Sequence, residues 1–215
     1  MATLISVASG KGGVGKSVVS ANLALALAKR GRQVILADLD VGGADAHIMF
    51  GELNPSVTLT DFLNKRVNQL IDAAIPITMH PNLRLIAGTG DTLATANMAY
   101  ARKKRLMKQF RELESDIVVL DIGAGTNFHA LDFFLMADIH VAVATPEPTS
   151  VLDLYRFIKL AAIRRVLACF LARSPMSEVL SNRDFTSVEE VMDVASATDA
   201  GGRGVAAAAL HSFRP

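Results

Sequence analysis

Residues 10–17 form a glycine-rich loop whose residue types and spacing suit phosphate binding. The pattern is Gly-x-x-x-x-Gly-Lys-Ser, and its glycines let successive backbone N–H groups turn toward the phosphates of a nucleotide. Lys16 is placed to reach the β- and γ-phosphate oxygens, and the Ser17 hydroxyl is placed to bind Mg²⁺. The residues expected to contact nucleotide are Gly10, Lys11, Gly12, Gly13, Val14, Gly15, Lys16, Ser17 and Val18.

The loop also contains a second lysine, Lys11. A second ammonium group at this point cannot easily serve the same phosphates from within one subunit. The segments on either side support the phosphate-binding interpretation, since residues 3–8 read as a buried strand and residues 18–30 as a helix. The N-terminus of that helix would face the phosphates.

Three carboxylates follow apolar segments that are typical of buried strands. Asp38 and Asp40 follow residues 33–37, and Asp121 follows residues 117–120. Because ligands bind beyond the carboxyl ends of parallel strands, we expect Asp40 and Asp121 to lie near the loop. Carboxylates there suit a hard cation that bridges two phosphates and keeps several waters. For Asp38 the alternation of side chains along the strand leaves a structural role as an alternative.

Strands and helices alternate along the whole chain, which predicts an α/β fold: a doubly wound, mostly parallel sheet with helices on both faces. We expect one domain over residues 1–215. Gly31 is expected to end the first helix, and a capping box at residues 187–190 to open the last one. The predicted strands are 3–8, 33–37, 83–87, 117–120 and 139–144; the predicted helices are 18–30, 45–50, 59–65, 92–113, 131–136 and 150–172, with an amphipathic piece at 70–74.

Four motifs in order resemble the deviant Walker A, MinD/ParA-type P-loop ATPases. They are Lys-Gly-Gly-Val-Gly-Lys-Ser at 11–17, Asp-Leu-Asp-Val-Gly at 38–42, Asp-Ile-Gly-Ala-Gly-Thr at 121–126 and Thr-Pro-Glu-Pro-Thr-Ser at 145–150. The last two are most similar to the MinD and FlhG-like branch, which positions division septa or flagella. The resemblance covers roughly residues 1–165.

The resemblance implies an ATP-dependent homodimer with slow, partner-stimulated hydrolysis. Lys11 would cross the dimer interface to the partner's phosphates, although a solvated loop lysine is the alternative. Lys16 and Ser17 would hold phosphate and Mg²⁺, and Asp40 would position the attacking water. Asp38 and Asp121 would support the metal and its waters. Two further hypotheses keep the fold: a partition ATPase that binds DNA, and a truncated, non-enzymatic nucleotide-binding scaffold.

Composition narrows these possibilities. The net charge of +1 gives no overall attraction to nucleic acid or membrane. Cys169 is the one cysteine in the sequence. The iron–sulfur and metallochaperone branches of this superfamily need paired cysteines, which this chain does not have. The absence of a secretory signal predicts a cytoplasmic protein, with peripheral membrane association at the inner face left open.

The segment around residues 102–111 concentrates basic side chains: Arg102, Lys103, Lys104, Arg105, Lys108 and Arg111. One interpretation is a face for DNA or anionic lipid. The favoured alternative is a solvated outer helix that buries Leu106, Met107, Phe110 and Leu113. The five histidines show no metal-ligand spacing, and His47 and His129 are expected near the loops after Asp40 and Asp121.

The last fifty residues depart from the family pattern. The family usually supplies another strand there, whose end carries an asparagine against the adenine, and no such strand follows here. Residues 205–210 also lack the basic and bulky apolar pattern of a membrane-docking helix. We therefore expect a chain cut before its next strand, with the adenine-recognising residue unassigned.

Overall fold

A mostly parallel sheet organises the chain in a computed structural model, which describes residues 2–40, 43–88, 98, 100–168 and 185–198. The sheet order is β3-β4-β2-β5-β1-β6, and every neighbouring pair is parallel except β3 with β4. This confirms the predicted doubly wound fold class. Its strands are β1 (Thr3–Ala8), β2 (Val34–Leu39), β3 (Ala74–Pro76), β4 (Leu83–Ile86), β5 (Ile117–Ile122) and β6 (Ile139–Ala142).

Helices alternate with the strands along the chain and follow the last one. They are α1 (Lys16–Lys29), α2 (Ala46–Met49), α3 (Leu59–Leu63), a 3-10 helix (Leu70–Ala73), α4 (Tyr100–Glu112), α5 (Phe128–Leu135), α6 (Pro148–Leu167) and α7 (Val188–Thr198). The start predicted for the helix at 92–113 and the end predicted for the helix at 150–172 lie outside the described residues. The prediction at 131–136 began too late, because Asn127 caps α5 by accepting a hydrogen bond from the Ala130 N–H at 2.9 Å.

The adjacent interior strands β2, β5 and β1 are buried on both faces, as expected for a parallel sheet covered by helices. All six residues of β2 are buried, and so are five of the six in β5. Helix α1 packs on the sheet through Ala21, Ala24 and Ala28, whose small side chains allow a close approach. Gly31, at a φ of +83°, follows the end of α1 and confirms the predicted C-terminal signal.

The chain divides into two compact units, Met1–Leu154 and Tyr155–Pro215, and the boundary falls within α6. In the second unit, helix α7 begins at Val188, as the capping box predicted. The Ser187 hydroxyl accepts a hydrogen bond from the Glu190 N–H at 3.1 Å. The Glu190 carboxylate accepts hydrogen bonds from the N–H and the hydroxyl of Thr186. In a standard capping box it would accept from the N–H of Ser187, the next residue.

Candidate nucleotide-binding site

The loop at residues 10–17 joins the carboxyl end of β1 to the N-terminus of α1. Gly13 and Gly15 adopt φ values of +79° and +86°, which glycine tolerates without strain. A Cβ added at Gly12, Gly13 or Gly15 would meet no heavy atom within 4 Å, so this side of the loop is open. An open, glycine-lined loop at a helix N-terminus fits an anionic phosphate group.

At Gly10, in contrast, the loop packs closely against another segment of the chain. A Cβ added there would lie 2.1 Å from the carbonyl oxygen of Asp153 on α6, so the two backbones pack in direct contact. We expect Gly10→Ala to lower the free energy of unfolding by about 3 kcal/mol or more, because the overlap is with rigid backbone. Urea denaturation without nucleotide measures this. Gly12→Ala is the matched control and should stay within about 0.5 kcal/mol of wild type; equal midpoints for the two variants would contradict the close packing.

Lys16 lies buried among the acidic side chains that follow the strands. Its ammonium is 2.8 Å from Asp121 Oδ1 and 3.7 Å from Asp40 Oδ2, and the residue is 6% exposed. Its Nζ also lies 3.4 Å from the Ser17 hydroxyl. The structure therefore brings together four residues that the sequence singled out on three separate segments. Their convergence follows from the neighbouring positions of β1, β5 and β2 in the sheet.

Asp121 is held on one oxygen and has an orphaned acceptor on the other. Its Oδ1 accepts hydrogen bonds from Lys16 Nζ and from the Ser20 hydroxyl at 3.0 Å. Its Oδ2 is buried without a hydrogen-bond partner in the described residues. Buried carboxylate oxygens are rarely left unpaired, and a metal-bound water would satisfy this one. The residues present therefore fit a hydrated Mg²⁺ beside Ser17.

Ser20 was not found from the sequence. It lies one helical turn after Lys16 on α1 and is fully buried against Asp121. The i, i+4 spacing from Lys16 was the available signal, because both side chains then lie on the same face of the helix.

Asp38 is buried beside this cluster, in register with Asp121 across the β2–β5 pair. Its Oδ1 accepts the Asp40 N–H at 3.0 Å, and its Oδ2 accepts the Ala46 N–H at 3.1 Å. Burial raises the pKa of Asp38 to about 7, against the effect of these two hydrogen bonds. Both of its oxygens thus contact backbone donors.

The side chain of Lys11 contacts a segment of its own chain outside the phosphate loop. Its Nζ lies 3.3 Å from the Thr149 hydroxyl and 3.5 Å from the Glu147 carboxylate, and its side chain is 40% exposed. The Ser9 hydroxyl donates to the Lys11 carbonyl at 2.9 Å. Glu147 and Thr149 belong to the Thr-Pro-Glu-Pro-Thr-Ser segment, and their pairing with Lys11 was not predicted from the sequence.

Comparison with known proteins agrees with this geometry. Residues 1–171 match the ParA family, described as NUBPL iron-transfer P-loop NTPase. The chain belongs to the ParA family of P-loop NTPases.

Three relatives illustrate where the chain lies within the ParA family. It is 36% identical to the antiactivator FleN of Pseudomonas aeruginosa over 160 residues, which cover 73% of this chain and 55% of FleN. It is 34% identical to the flagellum site-determining protein YlxH of Helicobacter pylori, over 73% of this chain and 52% of YlxH. The structure of the septum site-determining protein MinD of Pyrococcus horikoshii, complexed with Mg-ADP, superposes with a TM-score of 0.63 at 28% identity, over 73% of this chain and 63% of MinD. The chain thus spans about half the length of FleN and YlxH.

A pocket of about 190 Å³ lies beside Asp40 in this ParA-family chain. Asn127, His129 and Phe133 line it together with Asp40 and Gly123. Burial lowers the pKa of His129, and the nearby Lys103 ammonium lowers it further. The position of His129 in this pocket agrees with its predicted placement near the loop after Asp121. A Cβ added at Gly123 would lie 3.3 Å from Asp40 Oδ1, so glycine allows the Asp40 carboxylate to approach this loop.

Most basic residues of α4 have partners within the chain. Lys103 is 6% exposed and forms an ion pair with Asp132 on α5. Arg105 donates to the Asn68 carbonyl at 3.1 Å. The other ion pairs are Lys108 with Glu112 and Arg111 with Asp138. These contacts, together with buried Leu106 and Phe110, support the outer-helix interpretation. None of the helices in the described part of the chain is long and apolar enough to cross a membrane.

Proposed function

We propose that this protein binds Mg·ATP and hydrolyses it as an ATP-dependent homodimer. The observation that carries the proposal is the buried Lys16 ammonium, held at the open glycine loop between Asp121 and Asp40. A lysine so placed has carboxylate partners in the absence of phosphate and would exchange them for phosphate oxygens when nucleotide binds. That exchange would release Asp40 for a role in catalysis.

Each residue of the cluster has a distinct role in this proposal. The loop N–H groups and Lys16 bind the phosphates of ATP, and Ser17 binds Mg²⁺. Mg²⁺, when bound, would supply positive charge to the phosphates. Asp121 would help to hold the hydrated metal through Oδ2, and Asp40 would orient the attacking water. Little covalent chemistry is required of the protein, so the rate comes from positioning and charge.

The homodimer supplies the remaining charge in this proposal. Lys11 reaches the phosphates of the partner subunit, as an arginine finger does in other nucleotide hydrolases. The half-exposed position of Lys11 supports this, since the side chain does not enter the site of its own chain. Hydrolysis then requires two subunits. Since cleavage of ATP removes a phosphate that holds the subunits together, the dimer lasts only as long as ATP remains intact.

We further propose a role in cellular positioning, of flagella or of the division site, through a regulatory protein partner. The names of YlxH and MinD, which refer to flagellum and septum sites, support this choice. Iron transfer is not favoured, because the chain has one cysteine and cannot supply a pair of thiolates from one subunit. DNA binding through α4 is less favoured, because at least four of its six basic residues have partners within the chain. A cytoplasmic location, with peripheral membrane association open, and a single domain over 1–215 stay predictions.

Sedimentation velocity combined with phosphate release tests the proposed function. With Mg·ATP we expect the sedimenting mass to double and phosphate to be released slowly; with Mg·ADP we expect a monomer. Binding of ATP without dimerisation or phosphate release would instead identify a non-enzymatic scaffold. No binding of ATP at all would overturn the proposal entirely.

A further inference from the structure

The two oxygens of Asp38 hold backbone groups at both ends of the segment between β2 and α2. Oδ1 accepts the Asp40 N–H at 3.0 Å, and Oδ2 accepts the Ala46 N–H at 3.1 Å. One buried carboxylate therefore connects Asp40, the residue directly after the strand, to Ala46, the first residue of α2. The two bonded amides are six positions apart in the sequence.

The Ala46 amide needs such a partner from outside its own helix. The first N–H groups of a helix have no acceptor within it, and a side chain at the N-cap position usually supplies one. Asp45 occupies the N-cap position of α2 and makes no side-chain hydrogen bond there. Asp38 therefore caps α2 from a neighbouring strand.

The surroundings of Asp38 differ from those of Asp121. Asp38 is 1% exposed, and the backbone of Gly88 packs against it: a Cβ added at Gly88 would lie 2.8 Å from the Asp38 carbonyl oxygen and 3.4 Å from its Cγ. Asp121 instead keeps a buried Oδ2 without a partner in the described residues and lies 2.8 Å from Lys16. An unpaired oxygen can accept from a metal-bound water, whereas the oxygens of Asp38 already have donors.

We infer that Asp38 is a positioning residue for ATP hydrolysis: it fixes the backbone of Asp40 and the start of α2 rather than supporting the metal. This inference rests on the proposed function, in which Asp40 orients the attacking water. The Asp40 side chain projects from the residue whose N–H is bonded to Asp38, so loss of that bond releases the carboxylate from its orientation. Misplacement of a catalytic group by about 1 Å costs on the order of 100-fold in rate.

The test compares Asp38→Asn with Asp45→Asn, a substitution of the same type at the exposed residue just before α2. Asparagine at position 38 keeps one acceptor but directs an NH₂ group at the other backbone N–H. We expect kcat for ATP hydrolysis to fall about 10- to 100-fold, with the half-saturating Mg²⁺ concentration within twofold of wild type. Amide hydrogen exchange at Ala46, measured by NMR without nucleotide, should accelerate at least about 10-fold. Asp45→Asn should change none of the three.

Two outcomes would overturn the inference. If Asp38→Asn raised the half-saturating Mg²⁺ concentration about 10-fold and left Ala46 exchange unchanged, Asp38 would support the metal instead. If Asp38→Asn failed to fold, the wild-type exchange rate would still decide: an Ala46 amide exchanging as in an unstructured peptide excludes the bond. Because the exchange measurement uses no ATP, it also separates this inference from the proposed function, which is tested by ATP binding, dimerisation and hydrolysis in the wild-type protein.

Discussion

Lys11→Ala is expected to abolish ATP-dependent dimerisation and to lower ATP hydrolysis by about 10³- to 10⁵-fold, the range measured for arginine fingers supplied in trans. Two effects combine in this variant. The dimer loses an attraction between an ammonium group and the partner's phosphates, and the transition state loses charge at the transferred phosphoryl group. Binding of ATP to the monomer should change little, since Lys16 and the loop N–H groups remain. Sedimentation and phosphate release measure the first two quantities, and fluorescent-nucleotide titration measures the third.

Lys108→Ala provides a control with the same loss of charge. Lys108 is exposed on α4 and forms an ion pair with Glu112 at 3.5 Å, within the same helix. Its removal should leave dimerisation and hydrolysis unchanged. If Lys11→Ala still formed dimers and hydrolysed ATP at the wild-type rate, Lys11 would be a solvated loop lysine and the role in trans would be wrong.

The contacts that Lys11 makes within its own chain are compatible with a change of partner. Its ion pair with Glu147 spans 3.5 Å, with the two side chains 40% and 65% exposed. Exposed pairs of this kind contribute at most about 1 kcal/mol. A triphosphate carries several negative charges in a site from which water is partly excluded, so it competes strongly for the same ammonium. Breaking the ion pair between Lys11 and Glu147 therefore costs little free energy.

The sheet could be predicted from the sequence because its central strands are buried on both faces. Residues 3–8 form a mostly apolar segment before the glycine loop, and the observed β1 covers the same residues. The antiparallel edge strand β3 was missed, since three residues that end in Pro76 show no periodicity. The convergence of Lys16, Asp40 and Asp121 followed from a general property of parallel sheets, that strand ends meet at one edge.

The partners of individual side chains were beyond prediction. The sequence predicted Lys103 to be one of six basic residues on an outer helix. In the structure it is buried and forms an ion pair with Asp132 on the next helix. The bonds of Asp38 to Asp40 and Ala46 depend on where the start of α2 lies relative to β2, which periodicity does not indicate. Sequence patterns indicate which face of an element is buried; they do not indicate which donor reaches which acceptor across two elements.

Asp40→Asn is expected to give the opposite result to Lys11→Ala with respect to assembly. Asparagine has nearly the same shape as aspartate, and Lys16 keeps its partner Asp121 at 2.8 Å, so Mg·ATP binding and dimerisation should persist. Hydrolysis should fall by about 10²- to 10⁴-fold, because the amide is a poor proton acceptor for the attacking water. With hydrolysis blocked and binding retained, the dimer should accumulate and outlast the wild-type dimer.

The lifetime of the dimer separates the two roles. After ATP is diluted or removed, light scattering or sedimentation should show the Asp40→Asn dimer persisting, while the wild-type dimer dissociates as ATP is consumed and Lys11→Ala remains monomeric throughout. Wild-type hydrolysis in Asp40→Asn would show that another group orients the water. A monomeric Asp40→Asn protein that still binds Mg·ATP would place Asp40 in the assembly step rather than in chemistry, and the dimer would then not be timed by hydrolysis at this residue.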